Sequence, residues 1–178
     1  MKRKNILLWI ALLVIIDQVI KIIINTYFLD IRFNIIPSLF EFYPKFNDKY
    51  SYICVLFSLN IGLLVHVIVI SAIGITLLFM YNYLKKILIN TKLLDFMFVF
   101  SMSGIICALI GIVIWTRGTL DYIYLKPLFI FDLKDLYLNV FGCLFLVFFY
   151  KNRMQLKAAK GRDLIIYVKN YFGFLRKS

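Results

Sequence analysis

Two aspartates carry the clearest capacity for chemistry in this sequence. Asp121 follows an apolar run that ends near Trp115, and Asp135 stands at the start of the next one. Each is expected where water meets hydrocarbon. Antiparallel neighbours joined by a short connection can bring the two carboxyls together. Close carboxylates do not both ionise easily, so they share a proton. One can then take a proton from water while the other donates a hydrogen bond or proton to a carbonyl. That equipment hydrolyses an amide without metal, serine or cysteine. The competing reading makes both ordinary interfacial charges, paired with Arg117 or Lys126.

A second pair lies deeper. Asp17 and Lys21 interrupt the apolar run from Ile6 to Leu29. Ionised groups at such depth are costly. Four residues apart, they share one helix face and can pair. At about 1.5 Å per residue, Asp17 lies ~18 Å beyond Asn5, in the outer half of a span. Two readings stay open: a structural ion pair packed against other helices, or part of a polar site near the outer surface.

The elements that must position these groups are membrane spans. The 178 residues are 63% hydrophobic with mean hydropathy +0.89. A soluble domain is closer to about half apolar. The net charge is +12, but the Lys and Arg residues sit between and after apolar runs. That pattern reads as membrane topology and not as a nucleic-acid patch. Met1-Lys2-Arg3-Lys4 also resembles the start of a signal peptide, yet Asp17 and Lys21 interrupt the run and no small-residue cleavage site follows. A retained first span is expected. A second starts near Asn60 or Gly62 and ends at Tyr81-Asn82-Tyr83. The third covers about Leu93 to Trp115, with Asp95 at the water interface and Gly104 and Gly111 marking close packing. The fourth covers about Phe129 to Tyr150.

Between the first two spans, Asp30 to Tyr52 mixes Pro37, Pro44 and charges with Phe and Tyr. Short strands are expected around Ser38–Tyr43 and Tyr50–Leu56. Residues 116–127 read as a polar connection. The basic tail, Lys151 to Ser178, ends in a segment that is surface-lying and amphipathic or simply mobile. Cys54, Cys107 and Cys143 form no CxxC pair and read as small buried hydrophobes; His66 reads as packing. Fourteen Lys and Arg fall on one side of the four spans and six on the other. Both termini are therefore expected in the cytoplasm, with the 30–52 segment, Asp121 and Asp135 outside. The fold class expected is an all-α membrane protein. It is a four-transmembrane-helix bundle with a small extracytoplasmic β-rich cradle. The membrane domain spans 1–150, with its outward part at about 30–58, and 151–178 is a basic cytoplasmic tail.

Several short stretches resemble one family over about Ile6 to Tyr150. Asp17-Gln18-Val19-Ile20-Lys21 is similar to the D-Q-x-x-K of lipoprotein signal peptidase (signal peptidase II). Pro37-Ser38-Leu39-Phe40 and then Asn47 resemble its P-x-F-F leading into N-x-G-A-A-F, with Tyr52 on the Phe and Lys49-Tyr50-Ser51 replacing Gly-Ala-Ala. Gly118-Thr119-Leu120-Asp121-Tyr122 resembles G-x-V-x-D-F, one residue short. Phe131-Asp132-Leu133-Lys134-Asp135 resembles F-N-x-A-D, with Asp132 for the usual Asn and Lys134 for the usual Ala. The family's G-N-x-x-D-R is missing: no Asn occurs between Thr91 and Asn139, and Arg117 is the one Arg there. Lys134 could act on either aspartate or point away into the headgroups.

The resemblance implies an aspartic endopeptidase of the bacterial cytoplasmic membrane, with its site at the outer face. Asp121 and Asp135 would be the catalytic pair. Asn47 would hold substrate, and Asp17, Lys21 and Asp132 would support the site. The implied partners are prolipoproteins whose cysteine already carries diacylglycerol, together with membrane lipids. No cofactor, no metal and no nucleic acid is implied, and a monomer is expected. The alternatives are a relative that has lost activity and a non-enzymatic four-span accessory or assembly protein.

Overall fold

The computed structural model describes residues 1–49 and 62–158, with side chains described as far as residue 156. The expected strand at Tyr50–Leu56, Cys54, Asn60 and the tail beyond Ala158 lie outside the described residues. Four helices are long and apolar enough to cross a membrane. They are α1 (Arg3–Ile23), α2 (Leu63–Ile87), α3 (Lys92–Val113) and α4 (Leu133–Ala158). α1 continues through a π-helical turn, Ile24–Phe28. The protein is thus mostly helical, as its composition requires: in hydrocarbon each backbone N–H and C=O must be satisfied within its own segment.

α3 is the central helix. It packs against α1, α2 and α4, and half of its apolar window is buried inside the protein. Small residues allow the close approaches. A Cβ on Gly104 would stand 2.7 Å from Leu138 of α4, so this is a helix–helix contact. Gly111 instead admits Thr119, a strand residue, at 2.9 Å. At one end of the bundle, Ile6 and Ile10 of α1 pack with Tyr81, Leu94, Phe98 and Phe148. At the other, Ile24 packs with Leu120 and Tyr122.

That second end carries a four-stranded antiparallel sheet in the order β1 (Phe33–Ile36), β2 (Phe40–Asn47), β3 (Thr119–Leu125), β4 (Phe129–Phe131). The expected strand near Ser38–Tyr43 is therefore two strands, 33–36 and 40–47, turning at Ser38, whose φ is +64°. Half of the sheet comes from residues read as a polar connection and as the start of the fourth span. The alternation Leu120, Tyr122, Tyr124 is a period-two pattern, and the flanking charges masked it. The fourth helix accordingly starts at Leu133, four residues later than Phe129. Pro44 cannot donate to a ladder. The β2–β3 register slips between Phe42 and Lys45, around that proline, and re-forms with Lys45 opposite Asp121 and Asn47 opposite Thr119.

Two other expectations change, for Asp95 and Cys143. Asp95 is not at a water interface. It is fully buried, with Tyr81 Oη and Lys85 Nζ each donating to it at 2.8 Å and the Met1 amine paired with it. The apolar walls of α2 and α3 exclude water there, so the carboxylate collects cations instead. Cys107 is buried as expected, but Cys143 is exposed on α4, where a spanning helix faces lipid. His66 is buried, with Nδ1 3.2 Å from the Gly62 carbonyl.

Gly118 joins the sheet to the site. Its φ is +97°, and a Cβ there would collide with the backbone carbonyl of Asn47. Gly118→Ala is expected to cost roughly 1–3 kcal/mol through strain and overpacking. Thermal unfolding in detergent measures this as a lowered Tm.

Candidate active site

Asp17 and Lys21 lie on α1 between the buried Ile10 and Ile24, the latter at the start of the following turn. Asp17 and Lys21 are both fully buried. Lys21 Nζ donates to Asp17 Oδ2 at 2.9 Å and pairs with Asp132 Oδ2 at 2.6 Å. Gln18 donates to the same Asp17 oxygen at 2.8 Å and accepts from Trp115 Nε1 at 3.2 Å. The stretch from Asp17 to Lys21 thus ties α1 to the end of α3 and to the start of α4. Of the two open readings, the geometry shows a buried ion pair that also reaches the acidic cluster.

Asp132 begins α4 in a reciprocal cap. The Asp135 backbone N–H donates to Asp132 Oδ1, and the Asp132 N–H donates to Asp135 Oδ2, each at 3.2 Å. This capping arrangement satisfies two backbone donors that a helix start otherwise leaves open. It also places Asp135 in the first turn, facing β3. Asp121 enters from β3, 5% exposed, and Asn47 Nδ2 donates to its Oδ2 at 3.4 Å.

The carboxylates of Asp121, Asp132 and Asp135 each offer an oxygen within 4.8 Å of the others. The Asp121 and Asp135 carboxyls are therefore close neighbours. Lys134 does not point away to headgroups. It is 7% exposed, and its Nζ lies 3.0 Å from Asp121 Oδ1, 2.9 Å from Asp132 Oδ1 and 3.4 Å from Asp135 Oδ2. The ammonium donates hydrogen bonds to Asp121 and Asp135 and forms an ion pair with Asp132. A trio of carboxylates is also a donor set for a hard cation; in this chain Lys134 brings the positive charge itself.

Burial pushes the Asp121 carboxyl above its ordinary range; Lys134 opposes this and Asp132 adds to it. Burial pushes Asp132 up too, but Lys134 and Lys21 outweigh it and hold that carboxyl below its ordinary range. The two carboxyls of the cluster that lie outside the helices are thereby driven in opposite directions. Arg117, the other candidate partner, lies over the Phe46 ring at 4.4 Å, and Lys126 pairs with Glu41 at 2.6 Å. Neither is the cation that the aspartates use. Spacing alone gives Lys134 two possible orientations and gives Gln18 and Trp115 no signal. The D-x-x-D spacing of 132 and 135 is the one cue that could have revealed the cap.

Fold and site together define a four-span membrane protein with a carboxylate cluster at the sheet-bearing end of its bundle. A family model described as signal peptidase (SPase) II matches residues 9–151. The chain belongs to the signal peptidase II family, a family of aspartic proteases. Its place as a multi-pass membrane protein in a family acting on lipoprotein precursors follows. Two solved structures, each of a bacterial membrane enzyme determined in meso, share the fold at 21% identity. One, at 2.3 Å resolution, has a TM-score of 0.70 and covers 90% of this chain and 94% of its own. The other, at 1.9 Å, has a TM-score of 0.59 and covers 82% and 92%. No curated protein matches the sequence.

Removing one partner of a buried ion pair leaves an uncompensated charge, which typically costs about 3–5 kcal/mol. Lys21→Met strands Asp17, leaves Asp132 with Lys134 alone, and is expected to lose that much. Asp17→Asn, which keeps a polar neighbour for Lys21, should lose less. Unfolding of both variants in detergent gives the comparison, and equal stability of Lys21→Met and wild type contradicts the pairing.

Proposed function

We propose that this chain is an active lipoprotein signal peptidase that cuts the peptide bond just before a diacylglyceryl-modified cysteine. The observation that carries the reading is that Asp121 and Asp135 offer carboxylate oxygens within 4.8 Å of each other at the sheet-bearing end of the bundle. One aspartate takes a proton from a water molecule as the water oxygen adds to the scissile carbonyl carbon. The other donates to the carbonyl oxygen, which becomes a hydroxyl. Collapse of that tetrahedral adduct breaks the C–N bond: the proton first taken from water passes to the leaving amine, and one adduct hydroxyl returns its proton to the aspartate that donated. The products are the signal peptide acid and the lipid-bearing cysteine with a free amine.

Asn47, 3.4 Å from Asp121, is placed to hold the aspartate and the substrate chain. Asp17, Lys21 and Asp132 brace the pair from beneath. In this reading both termini lie in the cytoplasm of a bacterial cell, because Lys and Arg concentrate on that side. The sheet then rests at the outer face of the cytoplasmic membrane, where lipidated substrates present their cysteine. The enzyme works as a monomer and needs no cofactor.

Purified wild type in detergent is expected to cleave a lipidated prolipoprotein and to leave its unlipidated form intact. Asp121→Asn and Asp135→Asn, with folding verified, should fall to background. Asn47→Ala removes one hydrogen bond, worth about 0.5–1.5 kcal/mol, so a loss of roughly two- to tenfold is expected. An inert wild type, or full activity in both aspartate variants, would show a relative that keeps the fold without the chemistry.

A further inference from the structure

We propose that Lys134 is a positioning residue, an internal counter-ion that ties Asp121 and Asp135 into one acid–base unit. The family pattern quoted above has an uncharged residue in its place, so this function belongs to the present chain. Three observations support it. Lys134 Nζ reaches all three carboxylates at 2.9–3.4 Å. Its side chain is buried, so water supplies none of that solvation. Its own charge is balanced by Asp132, which replaces the neutral residue two positions earlier. The Asp132–Lys134 pair therefore adds no net charge while placing a cation between two carboxylates that otherwise repel.

The surroundings leave Lys134 this task. From α1, Lys21 is committed to Asp17 and Asp132. From β2, Lys45 stands opposite Asp121 in register but is exposed. The neighbouring hydroxyls of Tyr122 and Tyr137 and the Cys107 thiol, from β3, α4 and α3, are neutral near pH 7. Among the described residues Lys134 is the one cation in contact with both Asp121 and Asp135.

A cation beside carboxylates favours their ionised forms. Cleavage that requires an ionised aspartate should therefore persist to lower pH with Lys134 than without it. This kinetic consequence rests on the peptidase reading; the protonation itself does not. Lys134→Met keeps the length and removes the charge. Its kcat/KM profile is expected to have the acid limb moved up by about one pH unit, so that activity at a fixed acidic pH drops about tenfold. Lys134→Arg, which keeps the charge, should hold the limb near its wild-type position. A purely structural role predicts slower cleavage with an unmoved limb, and that result overturns the proposal.

Infrared titration of the carboxylic-acid band provides the second measurement. Near neutral pH, Lys134→Met should carry more protonated carboxyl than wild type, and adding Asp121→Asn or Asp135→Asn should remove the excess. Coincident titrations of Lys134→Met and wild type overturn the proposal. If Lys134→Met does not fold, Lys134→Gln removes the charge while keeping hydrogen-bonding groups and should titrate in the same direction; wild-type behaviour there is equally fatal. If the wild type cleaves nothing, the peptidase reading fails, while the infrared comparison still decides what Lys134 does.

Discussion

Buried charge has to be matched, and at the sheet-bearing end of this bundle that constraint organises everything nearby. Asp17, Lys21, Asp132, Lys134, Asp121 and Asp135 form one connected set with contacts from 2.6 to 3.4 Å. Each is costly alone in an apolar surrounding. Joined, they bring α1, β3 and α4 to a common point. The apolar clusters on either side supply burial, but nondirectional burial does not select an orientation. The ion contacts do. They determine which face of α1 turns inward and where α4 must begin.

The same constraint explains the departures from the family pattern. Without Asp132, a cation at position 134 would keep Asp121 and Asp135 but lose its shortest contact. An acid introduced alone at 132 would add to a cluster already rich in carboxylate. Together they neutralise each other at 2.9 Å. Asp132 also forms an ion pair with Lys21 at 2.6 Å, so the α1 pair is not a separate structural feature beneath the site. It is the far end of the same chain of contacts.

Much of this was legible from residue order, and the reasons for the rest are local. Four spans follow from hydropathy, and the facing of Asp17 and Lys21 follows from a spacing of four. Asp121 and Asp135 follow from position at the ends of apolar runs. The second half of the sheet did not, because Thr119–Leu125 sits between charges and its alternation is short. Asp95 was misjudged because depth along a helix says nothing about which neighbours close over it. The place of Lys134 was open because a long side chain at a helix start reaches either water or core with equal ease. Only the positions of Asp132 and β3 decide between the two.

The reciprocal cap at the start of α4 has a consequence for the cluster. Asp135 is both a latch on the first helical turn and a member of the carboxylate pair. Until that turn is wound, the carboxyl has no defined direction and the partner strand has nothing to meet. The carboxylate cluster and the first turn of the last helix are thus one structure, and neither has its shape without the other.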